Sequence, residues 1–327
     1  MAKPMFIGPS KIRRTEMATS ALTIGWIGAG RMGIQLATRL IDAGYDVSVY
    51  NRTKSKIQPL VDKGATAVDS PADLADRDLV FSMVSASKDL KQVMLGEGGL
   101  LTAAASPKII ADCSTVSIEA SAEIRQAASE RNTEFLATPV SGNPAVIEAG
   151  KLTVAVSGPE GTFLNVEPVL NVFGRGVTYV GEGEVARLVK IAHNVFLGVV
   201  TQSLSEITVL AERGGVSREA FLNFLNDSVM GSVFTKYKSP AIVNLDFTPT
   251  FTMPLLLKDF DLGLTASTSL GVPMPIASAT RQIVAQAAGS GNTEEDFATL
   301  LQIVAAGAGL ELKSENSPIT DGLGPEN

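Results

Sequence analysis

Three polar residues capable of chemistry interrupt an apolar stretch of the sequence: Lys190, His193 and Asn194. Lys190 and Asn194 are four residues apart, so on a helix they share one face. A lysine partly removed from water has a lowered pKa, which suits it to protonate an alkoxide or deprotonate a hydroxyl group. The spacing predicts an acid–base lysine, with Asn194 binding the substrate oxygen or the amine. The alternative is a lysine that extends along the helix surface.

His193 is the only histidine of the chain and a second candidate for the acid–base role. An imidazole titrates near neutral pH without any tuning of its pKa. His193 follows Lys190 by three residues, so it could share the same helix face. Because a lone histidine is more often a packed or supporting residue, we rank it behind Lys190.

A glycine motif, Gly28-x-Gly30-x-x-Gly33, stands between an apolar run and a helix-compatible run. In such a unit the glycines allow a tight turn, a close approach to a pyrophosphate, and close packing of helix on strand. The phosphates then meet unpaired N–H groups and the positive end of the helix dipole. The alternative is a glycine-rich turn without a ligand. The residues predicted to bind a dinucleotide here are Gly28, Ala29, Gly30, Arg31, Met32 and Gly33.

The end of the second predicted strand indicates which dinucleotide is bound. An NAD-binding unit normally has an acidic residue here, facing the ribose 2′-hydroxyl, whereas this chain has Asn51, Arg52 and Thr53. A guanidinium with neighbouring donors suits a 2′-phosphate. We therefore predict NADP(H), with NAD(H) as the second choice; the alternative is a solvated basic turn.

Composition excludes several classes of protein. The chain has 327 residues, 45% of them apolar, as expected for a globular protein. Its net charge of −7 argues against a nucleic-acid partner. One cysteine excludes an internal disulfide and favours a cytoplasmic location, and one histidine argues against a metal site. Because no run of about 18 consecutive apolar residues occurs, we expect no membrane partner.

The order of elements predicts an α/β fold with two domains. Short β-like runs alternate with helix-like segments up to residue 183, which predicts a Rossmann-type, mostly parallel sheet over 22–183. The sequence beyond predicts an all-α domain over 184–310, joined to the first by a long interdomain helix over 184–213. We expect disorder in 1–21 and 311–327. The strands are predicted at 22–27, 46–50, 78–84, 108–112, 133–137, 152–157 and 177–180.

The long helix is apolar on almost every face from Ile191 to Val200, which predicts burial on all sides. Together with the apolar helices after it, this predicts a homodimer or homotetramer. Thr293 and Asp296 resemble a capping box that opens the last helix. The shorter helices are predicted at 217–227, about 255–270, 275–288 and 294–306.

Four motifs, in order over residues 22–305, resemble those of the β-hydroxyacid dehydrogenase family, which includes 3-hydroxyisobutyrate dehydrogenase, tartronate semialdehyde reductase and glyoxylate/succinic semialdehyde reductase. Lys258-Asp259 matches a further Lys-Asp element of that family. The four motifs are Ile27-Gly28-Ala29-Gly30-Arg31-Met32-Gly33, then Asp112-Cys113-Ser114-Thr115, then Pro139-Val140-Ser141-Gly142 followed by Ala149-Gly150-Lys151-Leu152, and Gly181-x-Gly183 leading to Lys190-x-x-x-Asn194.

The resemblance implies a role for each matched residue. Lys190 would be the catalytic acid/base and Asn194 its polar companion. Besides these two, the residues implied in substrate binding, through its carboxylate, are Ser114, Ser141 and Gly142, with the adjoining Asn143. Those implied in cofactor binding, beyond the glycine turn and Asn51-Arg52-Thr53, are Met83, Val84, Thr115 and Lys258.

The sequence departs from the family pattern at two places near the substrate. Asn143-Pro144 stands where many members have another glycine, and His193 stands where many have asparagine. The resemblance therefore implies the reaction type rather than the substrate. Related imine reductases generally lack the lysine, so Lys190 argues against them.

The predicted function is an NADP(H)-dependent oxidoreductase. It would transfer a hydride between nicotinamide and a small β-hydroxy acid, or the matching semialdehyde or keto acid. Two alternatives are an imine or keto reductase with a bulkier pocket, and a non-catalytic NADP-binding module. The second alternative would not need Lys190, Asn194 and Ser114 together.

Overall fold

A computed structural model describes residues 22–324 of the chain. The predicted disorder of residues 1–21 lies outside the described residues. Within them, the part up to Gly181 forms a nine-stranded sheet. Its strands are β1 (Thr23–Ile27), β2 (Asp46–Tyr50), β3 (Thr66–Ala67), β4 (Leu79–Ser82), β5 (Ile109–Asp112), β6 (Glu134–Ala137), β7 (Val140–Ser141), β8 (Thr153–Ser157) and β9 (Gly176–Gly181).

The sheet has the order β3-β2-β1-β4-β5-β6-β8-β7, and β9 pairs with β8. All pairs from β3 to β6 are parallel, whereas β8 is antiparallel to both β6 and β7. The predicted mostly parallel Rossmann-type sheet is therefore confirmed. The strand order changes direction at β1 and β4, and ligands of such sheets bind at this point, beyond the carboxyl ends of the strands.

Helices cover both faces of the sheet. Successive side chains of a strand point to opposite faces, and here the side chains on both faces are apolar. Ile24 and Trp26 belong to one core cluster, and the neighbouring Ile27 belongs to the other. The helices of this region are α1 (Arg31–Asp42), α2 (Gln58–Val61), α3 (Ser87–Leu95), α4 (Ile118–Ser129), α5 (Pro144–Glu148) and α6 (Glu160–Leu170).

The second part is helical, as predicted. We propose residues 22–183 and 184–310 as the two domains. The helix that joins them has 29 residues and is about 44 Å long at 1.5 Å per residue. The helices are α7 (Val185–Arg213), α8 (Arg218–Asp227), α9 (Val233–Asn244), α10 (Met253–Ser269), α11 (Pro275–Gly289) and α12 (Leu300–Gly307).

The helical part differs from the prediction in four respects. Helix α9 was not predicted, and the last helix starts at Leu300 after a short 3-10 turn rather than at 294. The capping box is wrong, because the carboxylate of Asp296 accepts the N–H of Ala298 and pairs with Lys238. The middle of α7 is not buried on all sides in the single chain, since Phe196 is 68% exposed.

Helix α7 is the one helix of the described residues that is long and apolar enough to cross a membrane. Half of its most apolar window is buried inside the protein. A helix in the core of a folded protein passes the same test of length and composition.

The tail follows an ordered path as far as Gly324. The Glu315 carboxylate accepts the backbone N–H groups of Arg218 and Glu219, at 2.7 and 3.0 Å. Further on, Lys151 of the first domain donates to the carbonyl of Gly322 at 2.9 Å. This path differs from the disorder predicted for 311–327, because the tail finds hydrogen-bond partners in both domains; residues 325–327 lie outside the described residues.

A buried ion pair fixes α7 to the sheet. Arg187, in the first turn of the helix, is 1% exposed, and its Nη2 lies 2.6 Å from Oδ2 of Asp112 at the end of β5. The same guanidinium donates to the carbonyl of Ser114 at 2.7 Å and to the hydroxyl of Ser121 at 3.0 Å. Several donors on one charged group keep it paired after it has lost its water.

We expect Arg187→Met to lower the free energy of unfolding by about 3–5 kcal/mol, because it leaves Asp112 charged and unpaired in the interior. The measurement is urea unfolding followed by circular dichroism. Adding Asp112→Asn should restore part of the loss by removing the orphaned charge. Lys54→Met, which breaks the exposed pair with Asp69, is the control and should change little. Unchanged stability of Arg187→Met would contradict this account.

Candidate active site

A cavity of about 560 Å³ opens between the carboxyl edge of the sheet and the helical part. It brings together most of the residues that the sequence singles out. Those that line it are Gly30, Arg31, Met32, Gly33, Met83, Val84, Thr115, Ser141, Gly142, Asn143, Lys190, Asn194 and Lys258. Those outside the lining are Gly28, Ala29, Asn51, Arg52, Thr53 and Ser114.

The glycine turn at the start of α1 fits a pyrophosphate. Gly28 has a φ of +104°, and a Cβ there or at Gly33 would collide with a backbone carbonyl. A Cβ at Gly30 would meet nothing within 4 Å, so the backbone is open to a ligand there. No side chain caps the helix, and no acidic residue stands in its first turn. Its first N–H groups are therefore available to an anion.

Asn51 and Arg52, the first two residues after β2, differ in the contacts that they make. The Asn51 amide accepts the N–H of Ala29 at 2.8 Å and donates to the carbonyl of Thr53 at 2.8 Å. Asn51 therefore shapes the glycine turn rather than offering a free donor. Arg52 has an 86% exposed side chain, 3.6 Å from the carboxylate of Asp89. Its guanidinium is free to turn towards a 2′-phosphate.

Ser114, which the resemblance places at the substrate, lies outside the cavity lining. It is fully buried, and its hydroxyl donates to Asp112 at 2.6 Å. The same oxygen accepts the N–H of Val84 at 2.9 Å. Ser114 therefore holds the loop after β4, whose residues Met83 and Val84 do face the cavity.

Lys190 is partly buried on the cavity side of α7. Loss of hydration lowers the pKa of its ammonium to about 8, against the opposing effect of the negative charge of Asp259. The positive charge of Lys258 lowers this pKa further. Near neutral pH such an amine exchanges protons far more readily than an ordinary lysine.

His193 lies between Ser141 and Asn194. Its Nε2 is 3.0 Å from Oγ of Ser141, and its Nδ1 is 3.0 Å from Oδ1 of Asn194. Burial, followed by the charge of Lys190, lowers the pKa of His193 below its ordinary value of 6.5. The ring is therefore neutral at pH 7.

The Asn194 amide fixes the proton positions in this chain of hydrogen bonds. Its Nδ2 donates to Oδ2 of Asp259 at 2.5 Å, so its Oδ1 faces His193 as an acceptor. The proton of the neutral ring consequently resides on Nδ1. The Ser141 hydroxyl then donates to Nε2, and its oxygen lone pairs remain for the cavity.

Asp259 links this chain of hydrogen bonds to Lys258, which also lines the cavity. It is 1% exposed, and its Oδ1 lies 3.4 Å from Nζ of Lys258. Lys258 in turn donates to the carbonyl of Thr115 at 3.0 Å, beyond the end of β5. The sequence indicates Asp259 only as part of a Lys-Asp motif, because its contact with Asn194 depends on the packing of α10 against α7.

The segment after β7 provides hydrogen-bond donors to the cavity. The side-chain oxygen Oδ1 of Asn143 caps α5 by accepting the N–H of Val146 at 2.9 Å, which leaves the side-chain NH2 group as a donor. Asn143 and Gly142 line the cavity beside Ser141. An oxygen-rich anion placed here meets a side-chain amide and backbone N–H groups.

The aromatic wall of the cavity was not predicted from the sequence. Phe234 and Tyr237 come from α9, and Phe251 and Phe297 come from loops around α10 and the 3-10 turn. A capping box formed by Ser232 and Thr235 opens α9 and was a signal available in the sequence.

Two family matches cover most of the chain. Residues 23–181 match the family described as the NAD binding domain of 6-phosphogluconate dehydrogenase. Residues 181–304 match the family described as NAD-binding of NADP-dependent 3-hydroxyisobutyrate dehydrogenase.

Individual relatives match over nearly their whole length. 2-(Hydroxymethyl)glutarate dehydrogenase of Eubacterium barkeri is 30% identical over 86% of this chain and 95% of that protein. Glyoxylate/succinic semialdehyde reductase 2, chloroplastic, of Arabidopsis thaliana is 29% identical over 91% and 83%. The crystal structure of 3-hydroxyisobutyrate dehydrogenase from Salmonella typhimurium is 26% identical, with a TM-score of 0.78 over 86% and 99%.

We expect Arg52→Ala to weaken NADPH binding by roughly 10- to 100-fold and to leave NADH binding nearly unchanged. A charge-assisted contact to a 2′-phosphate contributes about 1.5–3 kcal/mol, and NADH has no such phosphate. Quenching of protein fluorescence measures both dissociation constants. Asp89→Asn is the matched variant and should tighten NADPH, because it frees Arg52 and removes a negative charge beside it. Equal affinity of the wild-type protein for the two cofactors would refute the assignment.

Proposed function

The chain belongs to the β-hydroxyacid dehydrogenase family, and we propose that it is an NADP(H)-dependent oxidoreductase of small β-hydroxy acids and the matching semialdehydes or keto acids. The relatives described above carry the names of dehydrogenases and reductases of such acids. One observation carries the catalytic part of the proposal: Lys190, with its pKa lowered to about 8, lies in the same cavity as the glycine turn.

Lys190 is the proposed acid–base group. The nicotinamide, when bound, supplies or accepts the hydride. In reduction, the protonated amine of Lys190 gives its proton to the oxygen of the carbonyl group. In oxidation, the neutral amine takes the proton from the hydroxyl group of the substrate.

Asn194 and His193 are proposed to orient the substrate rather than to exchange protons with it. Asn194 is tied to Asp259, and His193 holds the hydroxyl of Ser141. Because the hydroxyl of Ser141 donates its proton to the His193 ring, it cannot donate a hydrogen bond to a carboxylate. Its oxygen can only accept one. The carboxylate donors are therefore assigned to the Asn143 amide and the backbone around Gly142.

A homodimer and a cytoplasmic location complete the proposal. Five apolar side chains form an exposed stripe along one side of α7, and a second copy of the chain would cover it. The single cysteine supports a reducing compartment. The stripe consists of Val185, Val189, Phe196, Ile207 and Leu210.

We expect Lys190→Met to lower kcat for NADPH-dependent reduction of a carbonyl acid at least about 100-fold, with little change in NADPH affinity, because it removes the proton donor alone. The substrates to test are glyoxylate, succinic semialdehyde and tartronate semialdehyde, with a cyclic imine for comparison. His193→Asn should cost much less. The reverse ranking, with folding verified for both variants, would assign the acid–base role to His193.

The pH profile tests the same assignment. Reduction needs the protonated amine, so kcat/KM for the carbonyl substrate should fall as the pH rises through about 8. Oxidation of the hydroxy acid needs the neutral amine, so its kcat/KM should rise over the same range. Lys190→Met should lose both dependences at this pH.

We expect the wild-type chain to be a homodimer at micromolar concentration and Phe196→Glu to shift it towards the monomer, because a charge in the apolar stripe is costly to bury. Multi-angle light scattering measures the mass. Leu164→Glu, at an exposed apolar position on α6, is the control. A monomeric wild type would contradict the proposed interface.

A further inference from the structure

The charge of the cavity lining is opposite to that of the whole chain. The chain carries a net charge of −7, yet within residues 22–324 the cavity lining includes several cations and neither an aspartate nor a glutamate. Such a site attracts anions and repels cations. The lining cations are Arg31, Lys151, Arg175, Lys190 and Lys258.

Three of these cations have an evident task or partner. Lys190 is the proposed acid–base group, and Lys258 pairs with Asp259. Arg31 belongs to the glycine turn that is assigned to the cofactor, and it also donates to the carbonyl of Pro249 at 2.6 Å. The other two, Lys151 and Arg175, have no carboxylate within 4.0 Å among the described residues.

Lys151 and Arg175 lie just before two neighbouring strands, β8 and β9, which begin at Thr153 and Gly176. The backbone N–H of Arg175 donates to the carbonyl of Leu152 at 2.9 Å. Because Lys151 precedes Leu152 in the chain, this hydrogen bond holds the backbones of the two cations close together. Lys151 is held at the cavity by the carbonyls of Gly322 and Gly324, at 2.9 and 3.2 Å. Carbonyl oxygens orient the ammonium and leave its charge in place, with one N–H still free.

The strand register links this pair to the substrate site. Ser141 of β7 faces Thr153 of β8, and Thr153 faces Gly176 of β9, next to Arg175. Two strand spacings separate Ser141 from Gly176, about 10 Å in all. The long side chains of Lys151 and Arg175 cover part of that distance, so the two cations can reach a second group of a substrate that is bound beside Ser141.

We propose that Lys151, Arg175 and Thr153 form a second anion subsite, and that the substrate is a carbonyl or hydroxy acid with a further carboxylate at its other end. This inference rests on the function proposed above. The phosphates of the cofactor have other partners, since the pyrophosphate fits the glycine turn and the 2′-phosphate fits Arg52. The second carboxylate of the substrate is therefore the anion assigned to the pair.

Binding of unreactive acids tests the subsite without turnover. Succinate, glutarate, adipate and suberate are titrated into the NADP⁺ complex by calorimetry, each against the monocarboxylate of equal length. We expect one or more of the diacids to bind at least about tenfold more tightly than its partner, since a charge-assisted contact contributes that much. The advantage should shrink as salt is raised.

Arg175→Gln should remove most of the diacid advantage and leave the monocarboxylate unaffected. Arg213→Gln is the matched control: it removes the same charge from an exposed position about 35 Å along α7 from Lys190. Lys151→Gln should act like Arg175→Gln. Circular dichroism and NADPH affinity verify that the variants are folded.

Three results would overturn the subsite. One is equal binding of diacids and monoacids by the wild type, and another is equal effects of Arg175→Gln and Arg213→Gln. The third is a loss of NADPH affinity in Arg175→Gln with no change for diacids, which would assign the pair to the cofactor. Failure of the wild type to turn over any carbonyl acid, with the diacid preference intact, would instead refute the proposed function and leave the subsite standing.

Discussion

The ion pair between Arg187 and Asp112 is the constraint on which the site depends. A guanidinium and a carboxylate lose most of their hydration when they are buried, and only close pairing with further hydrogen bonds offsets that cost. Here Asp112 accepts the hydroxyls of Ser82 and Ser114, each at 2.6 Å, besides the guanidinium. The pair therefore joins the ends of β4 and β5 to the first turn of α7.

Because α7 is a regular helix, fixing its first turn also fixes the residues that face the cavity further along it. Lys190 and Asn194 follow Arg187 by three and seven residues, so all three lie on one face of α7. Fixing Arg187 against the end of β5 therefore fixes the angle at which Lys190 and Asn194 enter the cavity. The loop that Ser114 holds faces them from the sheet. A single buried network thus positions residues from both parts of the chain.

Local rules predicted much of this fold from the sequence, because the information lies within short segments. The glycine spacing defined the turn, the alternation of runs predicted a mostly parallel sheet, and the four-residue spacing put Lys190 and Asn194 on one face. Roles that depend on distant partners were not predictable in this way. Ser114 follows a strand as a substrate donor would, but its hydroxyl is buried against Asp112. Likewise, only the contact with Asp259 determines which nitrogen of His193 carries the proton.

The position of Asp259 explains how a lysine here keeps a useful pKa. A carboxylate paired directly with Lys190 would stabilise the ammonium and raise its pKa, so that the amine would hold its proton at neutral pH. Asp259 instead directs one oxygen to Asn194 and the other to Lys258. Its charge still limits the effect of burial on Lys190, and the balance leaves the pKa of the amine at about 8. The same carboxylate thereby orients Asn194 and moderates the acidity of Lys190, so a change at Asp259 would disturb both the position of the substrate and the proton transfer.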